Sequence, residues 1–239
     1  MIFNGVLGLK RGLQRIKLWR KAFWHVLFAR CTVSYSQDAE DLFLWACMAE
    51  RLSNPGYKGF WVDIGAHDPA RLSNTKMFYD IGWRGINVDP MPEAMEKFRR
   101  FRKRDINVNL GVGPSEGSMD YFMFRDYAFN TFDKGIADSR DGLREVRKIP
   151  MIRLDHLLDK YLPNGQHIDF LTVDAEGLDF EILKTNNWSK YRPDFVLAEI
   201  YGDDMDSKCH SEIVDYLSHV GYSLVTIGMF SAVFKLMDK

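Results

Sequence analysis

The turn where this chain first signals a nucleoside site, Phe60 to Asp68, lacks the Gly-x-Gly-x-x-Gly loop of a dinucleotide fold. Without those glycines, backbone amides and a helix N-terminus do not close on a pyrophosphate, which speaks against a nicotinamide-dependent oxidoreductase. Cysteine is scarce. Cys31, Cys47 and Cys209 are odd in number and have no metal-ligand spacing, so they read as reduced thiols of a cytosolic protein. Long apolar runs are missing too: charges interrupt each one before ~18 residues, so no membrane-spanning helix is expected. A cleavable signal is not expected either, because basic residues continue where its apolar region belongs. Acids are absent from Met1 to Arg30, which carries seven lysines and arginines; with a net charge of −1 overall, the remainder stands at −8. An acidic main domain argues against a nucleic-acid partner. Internal repeats and low-complexity tracts are lacking.

What is present is organised around Phe60-Trp61-Val62-Asp63-Ile64-Gly65-Ala66-His67-Asp68, an apolar run ending in a carboxylate and a glycine turn. It reads as a buried parallel strand delivering Asp63 to the sheet edge where open α/β folds bind ligands. About twenty residues on, Gly85 to Pro90 repeats the pattern and ends in Asp89, where nucleoside-binding folds place a ribose-gripping acid. Ile168 to Gly177, with Asp174 and Glu176, and Phe195 to Ile200, with Glu199, do so again. A parallel sheet brings these four strand ends to one rim. An acidic rim repels phosphate but suits the sulfonium and ammonium of S-adenosylmethionine.

The remaining pattern sets the architecture: one α/β domain, with a boundary between segments 1–33 and 34–239. Ala39 to Leu52 reads as a helix capped by Ser36 or Asp38, and Lys76 to Ile81 as a short helix ended by Gly82. Glu93 to Arg104 places Ala94, Met95, Phe98 and Phe101 on one face and its basic residues on a solvated one. Ile106 to Val112 and Ser118 to Phe124 read as strands, whereas Arg125 to Ile149 is polar and reads as a loop over the acceptor side, with Asn130 and Thr131 facing the acceptor. Residues 113–150 thus form an insertion. Ile152 to Leu162 and Ser207 to Val220 read as helices, and Tyr222 to Ile227 with Ser231 to Leu236 as a closing antiparallel hairpin. Met1 to Arg30, with Trp19 and Trp24 among its basic residues, suits an amphipathic helix. Such a helix lies on the anionic inner face of a membrane, or packs on its own domain or a second subunit of a homo-oligomer.

Val62-Asp63-Ile64-Gly65-Ala66, the Asp89 strand end, Thr172-Val173-Asp174-Ala175-Glu176-Gly177 and the Ser36-Gln37 pair together resemble the FkbM-type S-adenosylmethionine-dependent methyltransferases, over roughly Tyr35 to Tyr201. The resemblance implies a class I methyltransferase (Rossmann-like) fold: a seven-stranded, mostly parallel sheet with a reversed C-terminal hairpin. It implies O-methylation of hydroxyls on sugars, glycolipids or glycosylated products. The cofactor set it implies is Gln37, Asp63, Gly65, Ala66, His67, Ser73, Asp89, Gly111, Val112 and Asp174: Asp63, Gly65 and Ala66 at the methionine side, Asp89 on the ribose, Gly111 and Val112 beside the adenine. Two departures stand out. His67-Asp68-Pro69 replaces a small, glycine-rich continuation, and Asp89 replaces a frequent glutamate.

Methyl transfer needs an aligned acceptor oxygen and a way to remove its proton. Two chemistries are open in the sequence. In one, Asp174 and Glu199, with Asp203 or Glu176 nearby, hold a Mg²⁺ that acidifies a sugar hydroxyl. In the other, His67, Asp174 or Glu176 serves as a metal-free base. A non-catalytic, membrane-associated module that keeps the fold for binding is the remaining alternative.

Overall fold

In a computed structural model, the structure describes residues 32–125, 129–175 and 177–237. Contact density divides the chain into Met1–Ser34 and Tyr35–Lys239. The expected amphipathic helix of residues 1–30 lies outside the described residues.

The second unit is built on a seven-stranded sheet. In chain order its strands are β1 (Phe60–Ile64), β2 (Arg84–Val88), β3 (Ile106–Val108), β7 (Phe170–Val173), β8 (Phe195–Glu199), β9 (Tyr222–Ile227) and β10 (Ser231–Leu236). Their spatial order is β3-β2-β1-β7-β8-β10-β9. All pairs are parallel except those made by β10, which runs antiparallel to both β8 and β9. This is the mostly parallel sheet with a reversed hairpin that the resemblance implies.

β1 is buried along its whole length because helices cover both sheet faces, as central parallel strands require. Side-chain alternation splits it. Phe60, Val62 and Ile64 join one core with Ile86, Val88, Leu171, Val173 and Val196, closed by α6 (Leu154–Tyr161), α7 (Asp179–Lys184) and α9 (Glu212–His219). Trp61 joins the other with Phe170, Leu197, Phe78 of α3 (Lys76–Asp80) and Leu44 of α1 (Glu40–Cys47). Helix α6 buries Leu154, Leu157 and Leu158, the spacing of one apolar stripe.

Four expectations are corrected here. Helix α1 stops at Cys47 and a separate turn, α2 (Ala49–Leu52), follows; the N-cap position of α1 is Ala39, in the left-handed region at φ 64°, not Asp38, while Ser36 Oγ reaches in from outside to accept the first-turn Asp41 N–H at 3.3 Å. Ser36 also donates to the Asp41 carboxylate, and Asp38 accepts from Met229 N–H. Ile106 to Val112 is not one strand, since β3 ends at Val108 and β4 (Gly111–Val112) leaves for a second sheet. That sheet, ordered β4-β6-β5, also takes β5 (Gly117–Phe124) and the ten-residue β6 (Leu143–Ile152). The stretch 125–149 is therefore not all loop. It holds α5 (Lys134–Asp138) and most of β6, whose apolar side chains are buried only at Ile149, Met151 and Ile152, so its alternation is faint. Finally, the basic face of α4 (Pro92–Phe101) and the residues after it is not wholly solvated: Arg102 is 1% exposed.

Candidate active site

One cleft lies along the C-terminal ends of β1, β2, β7 and β8. Its wall includes Asp63, Gly65, Ala66 and His67 after β1, Asp89 and Pro90 after β2, Asp174 and Ala175 after β7, and Glu199 of β8. Gln37, Glu40, Phe230 and Ser231 close one end, and Leu110, Val112, Tyr121, Asn130 and Phe132 the other. Five carboxylates (Glu40, Asp63, Asp89, Asp174, Glu199) and no lysine or arginine appear among the described residues that line it.

The β1 turn is shaped by backbone proximity. Gly65 has φ 82°, and a Cβ there would stand 1.8 Å from the Asp174 carbonyl oxygen, so the turns after β1 and β7 touch at a point that admits no side chain. Gly65 and Ala66 N–H both donate to Val88 O, at 2.9 and 3.1 Å, which ties this turn to the end of β2. There the Asp89 carboxylate accepts His67 N–H at 2.9 Å on one oxygen and Met91 N–H at 2.7 Å on the other. Each oxygen keeps a second lone pair. Burial pushes this carboxyl up to about 6 against those two bonds.

Asp63 sits below the rim, in a buried polar row across the sheet where it registers with Asn87 and Thr172. Burial pushes it up to about 7, opposed by the Arg102 guanidinium and a 3.2 Å bond from Thr75 Oγ1. Arg102 also donates to Pro69 O at 2.9 Å and to Ser73 Oγ at 3.1 Å, and lies 3.6 Å from Asp105. This buried cation holds the loop after β1 against β1 itself.

On the other side of the cleft, Asp179 at the start of α7 accepts from Ala175 N–H at 3.1 Å and Gly177 N–H at 3.3 Å, shaping the turn that follows Asp174. Burial pushes Asp179 up to about 7, and the nearby Glu199 carboxylate adds to it. Glu199 is raised by burial as well, against a hydrogen bond from Tyr201 OH and the charge of Arg140.

Of the residues singled out in the sequence, Gln37, Asp63, Gly65, Ala66, His67, Asp89, Val112, Asp174 and Glu199 gather on this cleft. Three do not. Ser73 is buried with its hydroxyl on Arg102. Gly111 lies behind the wall, where a Cβ would meet Met151 Sδ and Phe132. Asp203 borders a separate depression with Asp38, Phe43, Met205 and Met229. Glu176 lies outside the described residues. The proposed magnesium trio of Asp174, Glu199 and Asp203 is thus not assembled. Among the described residues, the acids and histidine that do converge at ligand spacing are His167, Asp169 and Asp194. They flank the N-terminal ends of β7 and β8, away from the cleft, and Arg51 already bridges the two acids at 2.8 and 2.5 Å. Arg102 and Asp179 went unnoticed in the sequence.

The sequence matches the family model described as the Methyltransferase FkbM domain over residues 63–224, more than half of the chain. Similar solved structures include methyltransferase FkbM from Methylobacillus flagellatus KT, at 13% identity and a TM-score of 0.46, covering 74% of this chain and 43% of that one. The chain therefore spans less than half the length of that protein. Another is the 1,6-didemethyltoxoflavin-N1-methyltransferase from Burkholderia thailandensis, at 13% identity and a TM-score of 0.42, covering 84% and 80%. A third is an O-methyltransferase from Bacillus cereus in complex with S-adenosylhomocysteine, at 10% identity and a TM-score of 0.39, covering 90% and 89%. No curated protein matches the chain.

Proposed function

Since the chain belongs to the methyltransferase FkbM domain family, a family of S-adenosylmethionine-dependent methyltransferases with the class I fold, we infer that it methylates a sugar hydroxyl of a glycan or glycolipid. The observation that carries this reading is the cleft's composition, five carboxylates without a lysine or arginine among the described lining residues. Such a wall favours a cationic donor over a pyrophosphate. The residues fit S-adenosylmethionine: Gly65 leaves room where a Cβ would strike backbone, Asp89 turns free lone pairs to the cleft, and Val112, Tyr121 and Phe132 make an apolar wall for a purine. When bound, this cofactor supplies an electrophilic methyl group.

The acceptor end supports a polyhydroxylated substrate. Gln37, Glu40, Asn74, Glu199 and Ser231 offer donors and acceptors beside the Phe230 ring, the mixture that suits the edges and faces of a sugar. Glu199 is the base in this reading. Half-buried, with its carboxyl raised toward working pH, it accepts the proton of the hydroxyl that attacks, and the Tyr201 hydroxyl orients it. No step is routed through Mg²⁺: among the described residues Asp203 lies apart from Asp174 and Glu199, and Glu176 is outside the described residues.

Methyl transfer from labelled S-adenosylmethionine to a panel of oligosaccharides and glycolipids, in wild type and Glu199→Gln, tests the reading. Turnover on a glycan, cut by about 10²–10⁴-fold in kcat in the variant, is expected. Exclusive methylation of nitrogen acceptors would contradict it, and loss of activity on chelation would return the metal-dependent version.

A further inference from the structure

Among the described residues that line the cleft, one buried polar group has no partner. Asn130 is 4% exposed and its Nδ2 makes no hydrogen bond. Its orientation is set by a single contact: Phe124 N–H donates to Asn130 Oδ1 at 2.8 Å, with both groups buried. A backbone N–H bonds only the oxygen of the amide, so this contact rules out a flipped side chain and leaves the two hydrogens of Nδ2 aimed elsewhere.

The backbone says where. Thr131 and Phe122 form an antiparallel bridge, exchanging both N–H···O bonds at 2.9 and 3.1 Å. Alternation about Thr131 puts Asn130 and Phe132 on one side, and both line the cleft. Phe132 packs on Tyr121 at 4.5 Å between ring centroids. The amide therefore stands beside the aromatic wall that faces the Asp89 strand end. An orphaned buried donor of this kind persists where a ligand completes it.

We propose that Asn130 is a cofactor-binding residue whose Nδ2 donates a hydrogen bond to the adenosyl group. This rests on the reading of the cleft as an S-adenosylmethionine site. The chemistry matches in sign. Purine ring nitrogens and ribose oxygens offer lone pairs, whereas the carboxylates around the cleft only accept and leave those lone pairs unmet. On the same loop Arg140, two residues past α5, donates to Phe129 O at 2.8 Å and lies within electrostatic reach of Glu199.

The test is calorimetric titration of the full chain with S-adenosylhomocysteine and with adenosine, using wild type, Asn130→Asp and Asn130→Ala. Asn130→Asp keeps an oxygen for Phe124 N–H, and its melting temperature verifies that the fold is intact. At least about tenfold weaker binding of both probes, in a folded Asn130→Asp as well as in Asn130→Ala, is expected. Wild-type affinity in both variants would overturn the assignment, as would a loss confined to S-adenosylhomocysteine with adenosine unaffected. A wild type that binds neither probe would instead overturn the cofactor reading beneath it.

Discussion

In the proposed donor site, Gly65 and Asp89 divide the work. At Gly65 the constraint is space: with φ 82° and the Asp174 carbonyl 1.8 Å from where a Cβ would stand, Gly65→Ala must push two turns apart. A loss of more than about 2 kcal/mol in denaturant unfolding, together with loss of S-adenosylhomocysteine binding, is expected. At Asp89 the constraint is charge. Asp63 and Asp179 are raised to about 7 and Asp89 to about 6, all first by burial. The folded form therefore holds protons that the unfolded chain has already released. The stability these groups contribute is complete below about pH 4 and is lost as pH climbs through 6 to 7. Thermal melting of the ligand-free protein should fall between pH 5 and pH 8, and Asp179→Asn should flatten the curve; a rising curve would contradict these shifts. Cofactor affinity should run the other way, strengthening as pH rises past 6, because an ionised Asp89 is the better acceptor for ribose hydroxyls.

At the scale of elements, α4 and the hairpin of β5 and β6 carry the lessons. Met95, Phe98 and Arg102 follow an i, i+3, i+7 stripe, so Arg102 continues the buried face of α4 although it belongs to a run of basic residues. That spacing was visible in the sequence; the composition of the run concealed it. Arg102→Met should destabilise the fold by about 3–5 kcal/mol in denaturant unfolding, because Asp63 and Asp105 would lose their buried counter-charge. A change below 1 kcal/mol would show that the network is dispensable. The strand ends at Asp63, Asp89, Asp174 and Glu199 were legible because each closes a short apolar run buried on both faces. β6 was not legible, since Leu143 and Val146 are exposed and charges occupy most of its first half, leaving no period to read. Asp179 was hidden for another reason. Its role is to accept two backbone N–H groups from a turn whose shape only the assembled sheet defines.

For the whole molecule, charge is the organising quantity. The acidic cleft belongs to the unit Tyr35–Lys239, whereas residues 1–30 carry seven lysines and arginines and no acid. No helix among the described residues is long and apolar enough to cross a membrane. The basic segment is proposed to hold the enzyme on an anionic surface beside a glycolipid acceptor. Removing residues 1–30 should then abolish sedimentation with anionic vesicles and leave S-adenosylhomocysteine affinity unchanged; undiminished sedimentation would contradict the proposal. Four strand-acid endings and a terminal hairpin made a parallel sheet with a reversed end readable in the sequence, whereas its seven-stranded form was implied by the family resemblance and its strand order came only with the fold. The proposed acceptor end was not readable, because its wall draws on Gln37, Glu40, Asn74, Glu199 and Ser231, which only the fold brings together. In the proposed function this rim binds an adenosyl donor through Asp89. Calorimetric titration of wild type and Asp89→Ala with S-adenosylmethionine, S-adenosylhomocysteine and NAD⁺ tests it most directly. Adenosyl binding that the substitution weakens at least about tenfold, with no NAD⁺ binding, is the expected result; tight NAD⁺ binding, or adenosyl binding indifferent to the substitution, would contradict it.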